Sequence, residues 1–499
     1  MCGVVGLLLA DGEEHCCAEL VDGLTTLQHR GQDAAGIVTA CTKSEWESVK
    51  FSLVRDLGLV RDVFARVPAA QSLRGNVGIG HVRYPTAGGG SAMNCQPLYV
   101  NFPCGLCLAH NGNLTNASEL RSQLIEAHRH INTDSDSEVL LNVFAEHLGG
   151  ALLKEEEQQQ QSNNIEAAVF SAAEKTMKRC RGGYAAVMLI HNVGLLAFRD
   201  PWGIRPLVFG VRGGGDTAVA SESVALDTLG FSLERDVAPG EVVLVRPELP
   251  IVTRVCHAIS LTPCIFEYVY FSRPDSLMNG VSVYEAQLRM GEKLAGKIRR
   301  TFPNDHGIDV VIAVPDTSRP IALQCAYSLD TPYREGFIKN RYVGRTFIMP
   351  GNRTKGVRLK LNTIKTEFRG KAVLLVDDSI VRGTTSTELV QMAREAGARK
   401  VFFISASPEV RYPNVYGINI SSSTELIAHN RTPDDVAAKL GADWVLFQDL
   451  PDLEDCVRSL NSTLSRFETS VFSGTYVTND VRLLEDNNII TSPPTTTIS

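Results

Sequence analysis

Residues Lys371–Thr387, KAVLLVDDSIVRGTTST, constrain the fold more tightly than any other stretch of the chain. Ala372 to Val376 is an apolar run rich in Val and Leu and too short for an ordinary helix, which predicts a strand buried on both faces. Asp377 and Asp378 close the strand, and Ser379 to Thr385 form a small-residue turn with one glycine. Leu389, Met392, Ala393 and Ala396 then recur at helical spacing up to Gly397. The first amides of such a helix have no partners inside it and carry partial positive charge, so the turn can cradle a phosphate, with Gly383 letting the backbone come close. The adjacent carboxylates suit a ribose diol or Mg2+, a cation that takes oxygen ligands and keeps several waters. A P-loop is excluded, because no Lys precedes Thr384 and the glycine spacing is wrong. The bland alternative is an acidic turn ahead of a surface helix.

VLLVDDSIVRGTT resembles the phosphoribosyl pyrophosphate motif of type I phosphoribosyltransferases. That resemblance implies that Asp377 and Asp378 hold the ribose hydroxyls, while Ser379, Arg382, Gly383, Thr384 and Thr385 line the 5-phosphate.

Composition bounds the rest. A chain of 499 residues has room for two to four domains by the usual length prior. Its hydrophobic content of 44% and charged content of 21% are those of an ordinary globular protein. A net charge of -7 with no basic arm argues against nucleic acid as partner, since that affinity comes from cations on phosphates. No apolar run reaches membrane-span length and no signal peptide is visible, so a cytoplasmic protein is expected. The 12 cysteines are scattered, as buried thiols in a reducing compartment would be. Cys104 and Cys107 have metal-site spacing but no second pair nearby.

At the other end the chain begins MCGVVG, so Cys2 becomes the amino terminus once Met1 is removed. A thiol and a free amine on one residue make a self-contained nucleophile and base, the amine having a reference pKa of about 7.7 to 8.0. An unreactive buried thiol is the commoner fate of a lone cysteine. Four further segments give it company: HRGQDAAG at 29–36, GIGHVRYPTAGG at 78–89, LAHNGNLTN at 108–116, and SDSEVLLNVF at 135–144, where Asp and Ser cap a helix. Singly, Arg83 reads as an ion-pair residue, Asp136 as a helix cap and Asn111 with Gly112 as a turn. Together and in this order, these pieces resemble the glutaminase domain of the N-terminal nucleophile amidotransferases. The resemblance implies that Cys2 attacks the glutamine amide and that its amine is the base. It implies also that Asn111 and Gly112 donate to the oxyanion, Arg83 holds the glutamine carboxylate and Asp136 the ammonium.

Between these ends, Tyr184 to Val211 reads as an antiparallel meander, and KEEEQQQQSNN at 154–164 as a disordered or frayed polar insertion unable to bury apolar surface. Two prolines in RPELPI place a domain joint near residue 250, within about ten residues. The aromatic PCIFEYVYFSRPDS at 263–276 reads as interface, and helices then alternate with strands. Residues 421–429 read as a capped helix, 470–478 as a strand pair and 479–499 as a disordered tail. Residues 336–361 are rich in Lys and Arg with no acidic residue. That is a solvated basic face or, by the resemblance, a flexible lid bringing Lys339, Arg341 and Arg345 to pyrophosphate. Thr317, in the turn after a first buried strand, sits where the relatives complete a magnesium site.

The expected fold is therefore an α+β N-terminal nucleophile hydrolase sandwich over 2–250, with antiparallel sheets between helices. An α/β type I phosphoribosyltransferase domain with a mainly parallel sheet follows over 251–478. This pairing resembles the glutamine phosphoribosylpyrophosphate amidotransferase family. It implies glutamine and phosphoribosyl pyrophosphate as substrates, Mg2+ as cofactor, purine nucleotides as feedback inhibitors and a homo-oligomer. No iron–sulfur cluster and no propeptide are expected, because no cysteine follows Ser470, Asn414 stands at a ligand position, and Cys2 follows Met1 directly. A hexosamine-forming synthase would need a sugar-isomerase half, against which the Asp377 motif speaks. The alternative from another class is a non-catalytic phosphoribosyl pyrophosphate sensor, which would need neither Cys2, Arg83 nor Asp136.

Overall fold

The computed structural model describes residues 1–42, 50–65, 73–84, 91–157, 165–340, 353–420, 422–483 and 489–491. The first half is a sandwich of two antiparallel sheets. Gly3–Leu8 lies inside a seven-stranded sheet between Asp216–Ala220 and Val77–Arg83, and Ala34–Ala40 follows beside the latter. The second sheet has six strands, with Gly182–Ile190 between Leu106–Leu114 and Gly194–Arg199. Val4, Leu8, Ile79, Val187 and Leu195 pack between the sheets, and a Cβ on Gly6 would meet Val187 at 2.7 Å, so the strand can approach only as glycine there. Cys17–Thr26 covers one outer face, and the helix pair Asp136–Glu157 and Ile165–Arg179 covers the other. The layers are helix, sheet, sheet, helix.

The second half is a five-stranded parallel sheet, with Ala372–Asp377 between Val310–Ala313 and Lys400–Ser405. Residue alternation sends Leu374 and Val376 to one apolar core and Val373 and Leu375 to the other. That two-sided burial is why the run is uniformly apolar. Val283–Thr301 closes one face with Ala286, Met290, Leu294 and Ile298, and Thr384–Glu395 closes the opposite one. Among the described residues no helix is long and apolar enough to cross a membrane.

Several expectations change. The meander is broken, since Val208–Arg212 pairs with Asp216–Ala220 in the other sheet. The crossing is made at Asp200–Pro206, where the buried Asp200 carboxylate accepts from the amides of Trp202, Ile204 and Arg205 at 2.9, 3.1 and 3.1 Å. Val252–Val255 still pairs with Glu241–Val245, which lies within the ten residues allowed for the joint. The helix from Asp136 continues to Glu157 through the start of the polar insertion, because Lys and Glu are good helix formers; residues 158–164 lie outside the described residues. Ser423–Glu425 is one 3-10 turn where a helix was expected. Ser470–Ser473 is a short helical turn rather than a strand, stopped by Gly474 at φ 72°. Within the expected tail, Asp480 is buried and accepts from Thr115 Oγ1 at 2.7 Å and Arg181 Nε at 2.9 Å, and Val481–Leu483 pairs with Ile489–Thr491.

Candidate active site

Cys2 enters the sandwich at the edge of Gly3–Leu8 and is buried. Its thiol lies 3.4 Å from the Tyr84 amide nitrogen and 3.6 Å from the Tyr84 carbonyl oxygen. Its backbone nitrogen donates to Asn111 Oδ1 at 3.3 Å. The Asn111 Nδ2 is buried and finds no acceptor among the described residues, which leaves a donor on the side chain that holds the Cys2 nitrogen. Asn111 and Gly112 lie within the strand Leu106–Leu114 rather than in a turn. Gly112 is at φ 142°, and a Cβ there would stand 2.1 Å from the Gly183 carbonyl oxygen, so only glycine fits.

Arg83 ends Val77–Arg83, immediately before Tyr84, and its buried guanidinium sits 3.3 Å from the Asp33 carboxylate. Burial pushes the Asp33 carboxyl up, against the pull of Arg83. Asp136 opens its helix, is buried, and accepts from the Leu114 amide at 3.0 Å, tying the helix start to the strand that carries Asn111. Two histidines lie close by. His81 is lowered to about 3 by burial, and burial lowers His110 as well, so both stay neutral. Met1 is buried, and burial lowers its amine to about 4. While Met1 is attached, the Cys2 nitrogen is an amide and carries no lone pair fit for proton transfer.

The second centre gathers at the carboxyl end of the parallel sheet, where ligands bind in such folds. Asp377 ends its strand, Asp378 follows, and both carboxyls are buried. Burial and the charge of Asp378 push Asp377 well above the usual carboxylate range, and burial likewise raises Asp378. Asp378 accepts from Thr317 Oγ1 at 2.5 Å and Ser379 Oγ at 2.6 Å. Gly383 precedes the helix Thr384–Glu395 at φ 77°, and a Cβ on it would be 2.2 Å from Ile427. Ser379, Arg382, Gly383, Thr384 and Thr385 line one cleft with the two aspartates. Arg382 is turned to Glu425, at 2.7 Å.

Lys339 pairs with Asp316 at 2.8 Å on the cleft margin. Arg341 and Arg345 lie outside the described residues. The expected lid has an ordered frame: Phe337–Lys339 pairs with Leu361–Thr363, and Arg353–Lys360 is helical, with Arg358 held by Glu388 and Glu395.

This cleft, about 1100 Å³, is also lined by Tyr84, which touches the Cys2 thiol, by Asp33, which pairs with Arg83, by Gln32, and by Phe266, Tyr270 and Phe271. Sequence reasoning missed Asp33 and Tyr84. Asp33 was visible as a charge inside HRGQD, whereas Tyr84 contributes through its backbone and leaves no residue-type signal. Among the described residues no three or more His, Cys, Asp or Glu side chains gather as a metal site. Two carboxylates and the Thr317 hydroxyl nevertheless offer hard oxygens of the kind Mg2+ takes when a phosphorylated ligand supplies the others.

Residues 86–228 match the model of a glutamine amidotransferase domain. The chain is 55% identical to the amidophosphoribosyltransferase of Pseudomonas aeruginosa, over 96% of this chain and 94% of that one. It is 54% identical to the enzyme of that name from Escherichia coli, over 96% and 93%. A solved structure of glutamine phosphoribosylpyrophosphate amidotransferase from Bacillus subtilis, complexed with ADP and GMP, superposes with a TM-score of 0.79 at 34% identity, covering 95% of this chain and 97% of that one.

Proposed function

The chain belongs to the amidophosphoribosyltransferase family, and from that premise we propose how its residues divide the work. The reaction takes phosphoribosyl pyrophosphate, glutamine and water to 5-phosphoribosylamine, glutamate and pyrophosphate, the committed step of purine synthesis. The reading as a non-catalytic sensor finds no support among these relatives.

Once Met1 is removed, the Cys2 thiol attacks the glutamine side-chain amide and its proton passes to the Cys2 amine. Asn111 Nδ2 and the Gly112 N–H receive the oxyanion, donors of a type each worth about 2.7 to 4 kcal/mol. The amine returns the proton to departing ammonia, leaving a thioester that water hydrolyses to glutamate and free thiol. The neutral, buried His81 and His110 are poorly suited to be the base, which favours the amine. Arg83, braced by Asp33, takes the glutamine carboxylate, and Asp136 its ammonium.

Ammonia then attacks the anomeric carbon of phosphoribosyl pyrophosphate, pyrophosphate leaves, and the nitrogen loses a proton. Asp377 and Asp378 hold the ribose hydroxyls. Ser379, Gly383, Thr384 and Thr385 hold the 5-phosphate at the helix start, with Arg382 once it leaves Glu425. Mg2+, when bound at Asp377, Asp378 and Thr317, supplies charge neutralisation for the leaving pyrophosphate. Lys339, Arg341 and Arg345 would assist from the basic segment. Purine nucleotide feedback, a homo-oligomer and a cytoplasmic location belong to the same reading.

The observation that carries it is the single cleft bordered at one end by Tyr84, against the Cys2 thiol, and at the other by Asp377 and Asp378. Cys2→Ala tests it: glutamine-dependent synthesis should vanish while ammonia-dependent synthesis persists. Equal survival of both would end the glutaminase assignment.

A further inference from the structure

Arg30 plays no part in the chemistry above, yet its side chain is wholly buried and bonded on every side. Its Nε donates to the Cys2 carbonyl oxygen at 2.9 Å. The rest of the fork goes to two carboxylates: Nη1 to Glu222 at 2.5 Å, and Nη1 and Nη2 to the oxygens of Glu267 at 3.1 and 2.8 Å. Both carboxylates are themselves held. Glu222 accepts from Ser276 Oγ at 2.7 Å and the Arg273 amide at 3.0 Å, and pairs with His29 Nε2 at 2.7 Å. Glu267 accepts from Ser272 Oγ at 2.9 Å and lies 3.5 Å from Arg205.

We propose that Arg30 is a positioning residue for the nucleophile, and that Glu267, from the phosphoribosyltransferase half, locks it in place. The proposal rests on Cys2 being the attacking residue. A first residue has no preceding peptide bond to restrain it, and chain ends fray unless they are tied down. Cys2 has three ties: its thiol at Tyr84, its nitrogen at Asn111 Oδ1, and its carbonyl at Arg30. The carbonyl tie completes the other two, fixing the backbone whose rotation carries thiol and amine together relative to the Asn111 and Gly112 donors. A planar guanidinium can serve the carbonyl and both carboxylates at once, whereas an ammonium presents donors from a single point. Because Glu267 opens the Glu267–Phe271 turn of the second half, the nucleophile is held correctly only when the two halves are docked.

The same clamp acts on the amine electrostatically. The charged groups that the clamp brings to Cys2, beside its own thiol, are Arg30, whose Nε is 2.9 Å from the Cys2 carbonyl oxygen, then Glu267 and Glu222 paired with Arg30, and Arg205 3.5 Å from Glu267. Losing the Arg30 cation favours protonation of the amine, and losing the Glu267 anion disfavours it. Structural damage alone would not move two variants in opposite directions.

The test uses the full chain with Met1 cleaved, measuring the pH profile of glutamine hydrolysis, its kcat and KM, and ammonia-dependent synthesis as a control for folding. Arg30→Gln and Glu267→Gln should each lower kcat by about 100-fold, the scale of a misplacement near 1 Å, with KM nearly unchanged. The acid limb should move to higher pH in Arg30→Gln and to lower pH in Glu267→Gln, and Arg30→Lys should recover only part of kcat. Ser272→Ala loosens Glu267 without exposing a buried charge and should lower kcat by roughly threefold, a loss of about 0.7 kcal/mol in barrier terms. If the first two variants do not fold, an unchanged kcat in Ser272→Ala overturns the proposal. It is also overturned if glutamine and ammonia activities fall in parallel, or if both acid limbs move the same way. Should Cys2→Ala keep hydrolysing glutamine, the nucleophile assignment fails; a dead Cys2→Ala beside clamp variants of normal kcat sinks the clamp alone.

Discussion

The two centres are built in opposite ways. Around Cys2, side chains from five separate segments are buried or half-buried and mostly paired: Arg83 with Asp33 and Arg30 with Glu222 and Glu267, while Asp136 accepts from the Leu114 amide. Around Asp377, nearly everything comes from one run of residues, and among the described residues no cation pairs with either of the two adjacent carboxyls. A neutral amide substrate can be met by a preorganised, electrically balanced site. A substrate carrying a pyrophosphate with its metal must instead be met by charge that stays uncompensated until it arrives. The first centre is therefore complete when empty, and the second holds a strain that its ligand relieves.

The sharpest way to break that contrast is to damage each centre and ask whether the other notices. Asn111→Ala removes one oxyanion donor and should cut glutamine-dependent kcat by about 10²–10³-fold, leaving ammonia-dependent synthesis close to wild type. Asp378→Ala should do the reverse. It should lower synthesis from either nitrogen source by roughly 10–100-fold through weaker magnesium and ribose binding, while glutamine hydrolysis measured alone continues. If Asp378→Ala abolished hydrolysis as well, the two centres could not be treated as separate.

A smaller effect sharpens the account of the balanced site. Asp33→Asn keeps the shape of the Arg83 brace but removes its charge, so Arg83 should wander without losing its own cation. The expected result is a KM for glutamine raised about 10-fold with kcat nearly constant, the pattern of a lost uniform-binding contact. A fall in kcat at constant KM would assign Asp33 to the chemical step.

The same difference explains what could be read from the sequence. The phosphate cradle was legible because strand, acidic pair, turn and helix start are contiguous, and the apolar run could only be a strand buried twice. Cys2, Arg83, Asn111 and Asp136 were legible as a set only through resemblance, since no local rule joins residues spread over more than a hundred positions. The Asp33 brace and the Tyr84 backbone contact arise from strand register, which pairs Ala34 with Arg83. The crossing of Val208–Arg212 to the other sheet depends on the buried Asp200 carboxylate organising its turn, and alternation alone reads the same in either sheet. The helical turn at Ser470–Ser473 replaced an expected strand because β-forming Val471 and Phe472 are spent on packing rather than on a ladder.

The smallest effect tests the strain at the second centre directly. The Asp377 carboxyl is raised above its unfolded value, so its contribution to stability is fully present below the usual carboxylate range and is lost as pH rises through the raised value. Near neutral pH the buried pair therefore costs stability, and Asp377→Asn should return about 1 kcal/mol, within the range usual for relieving a functional site. For a domain of this size that is a rise in Tm of roughly 2–4 °C, and the gain should shrink as pH falls toward the usual carboxylate range, where the wild-type pair gains protons. Adding magnesium with phosphoribosyl pyrophosphate should reverse the order, raising the Tm of the wild type and scarcely that of Asp377→Asn. Binding must also displace the proton, so wild-type affinity should strengthen as pH rises through the same range. A variant less stable than wild type at pH 7.5 would mean that the carboxylate already has a stabilising partner in the empty site, and the contrast between a balanced centre and a strained one would fail.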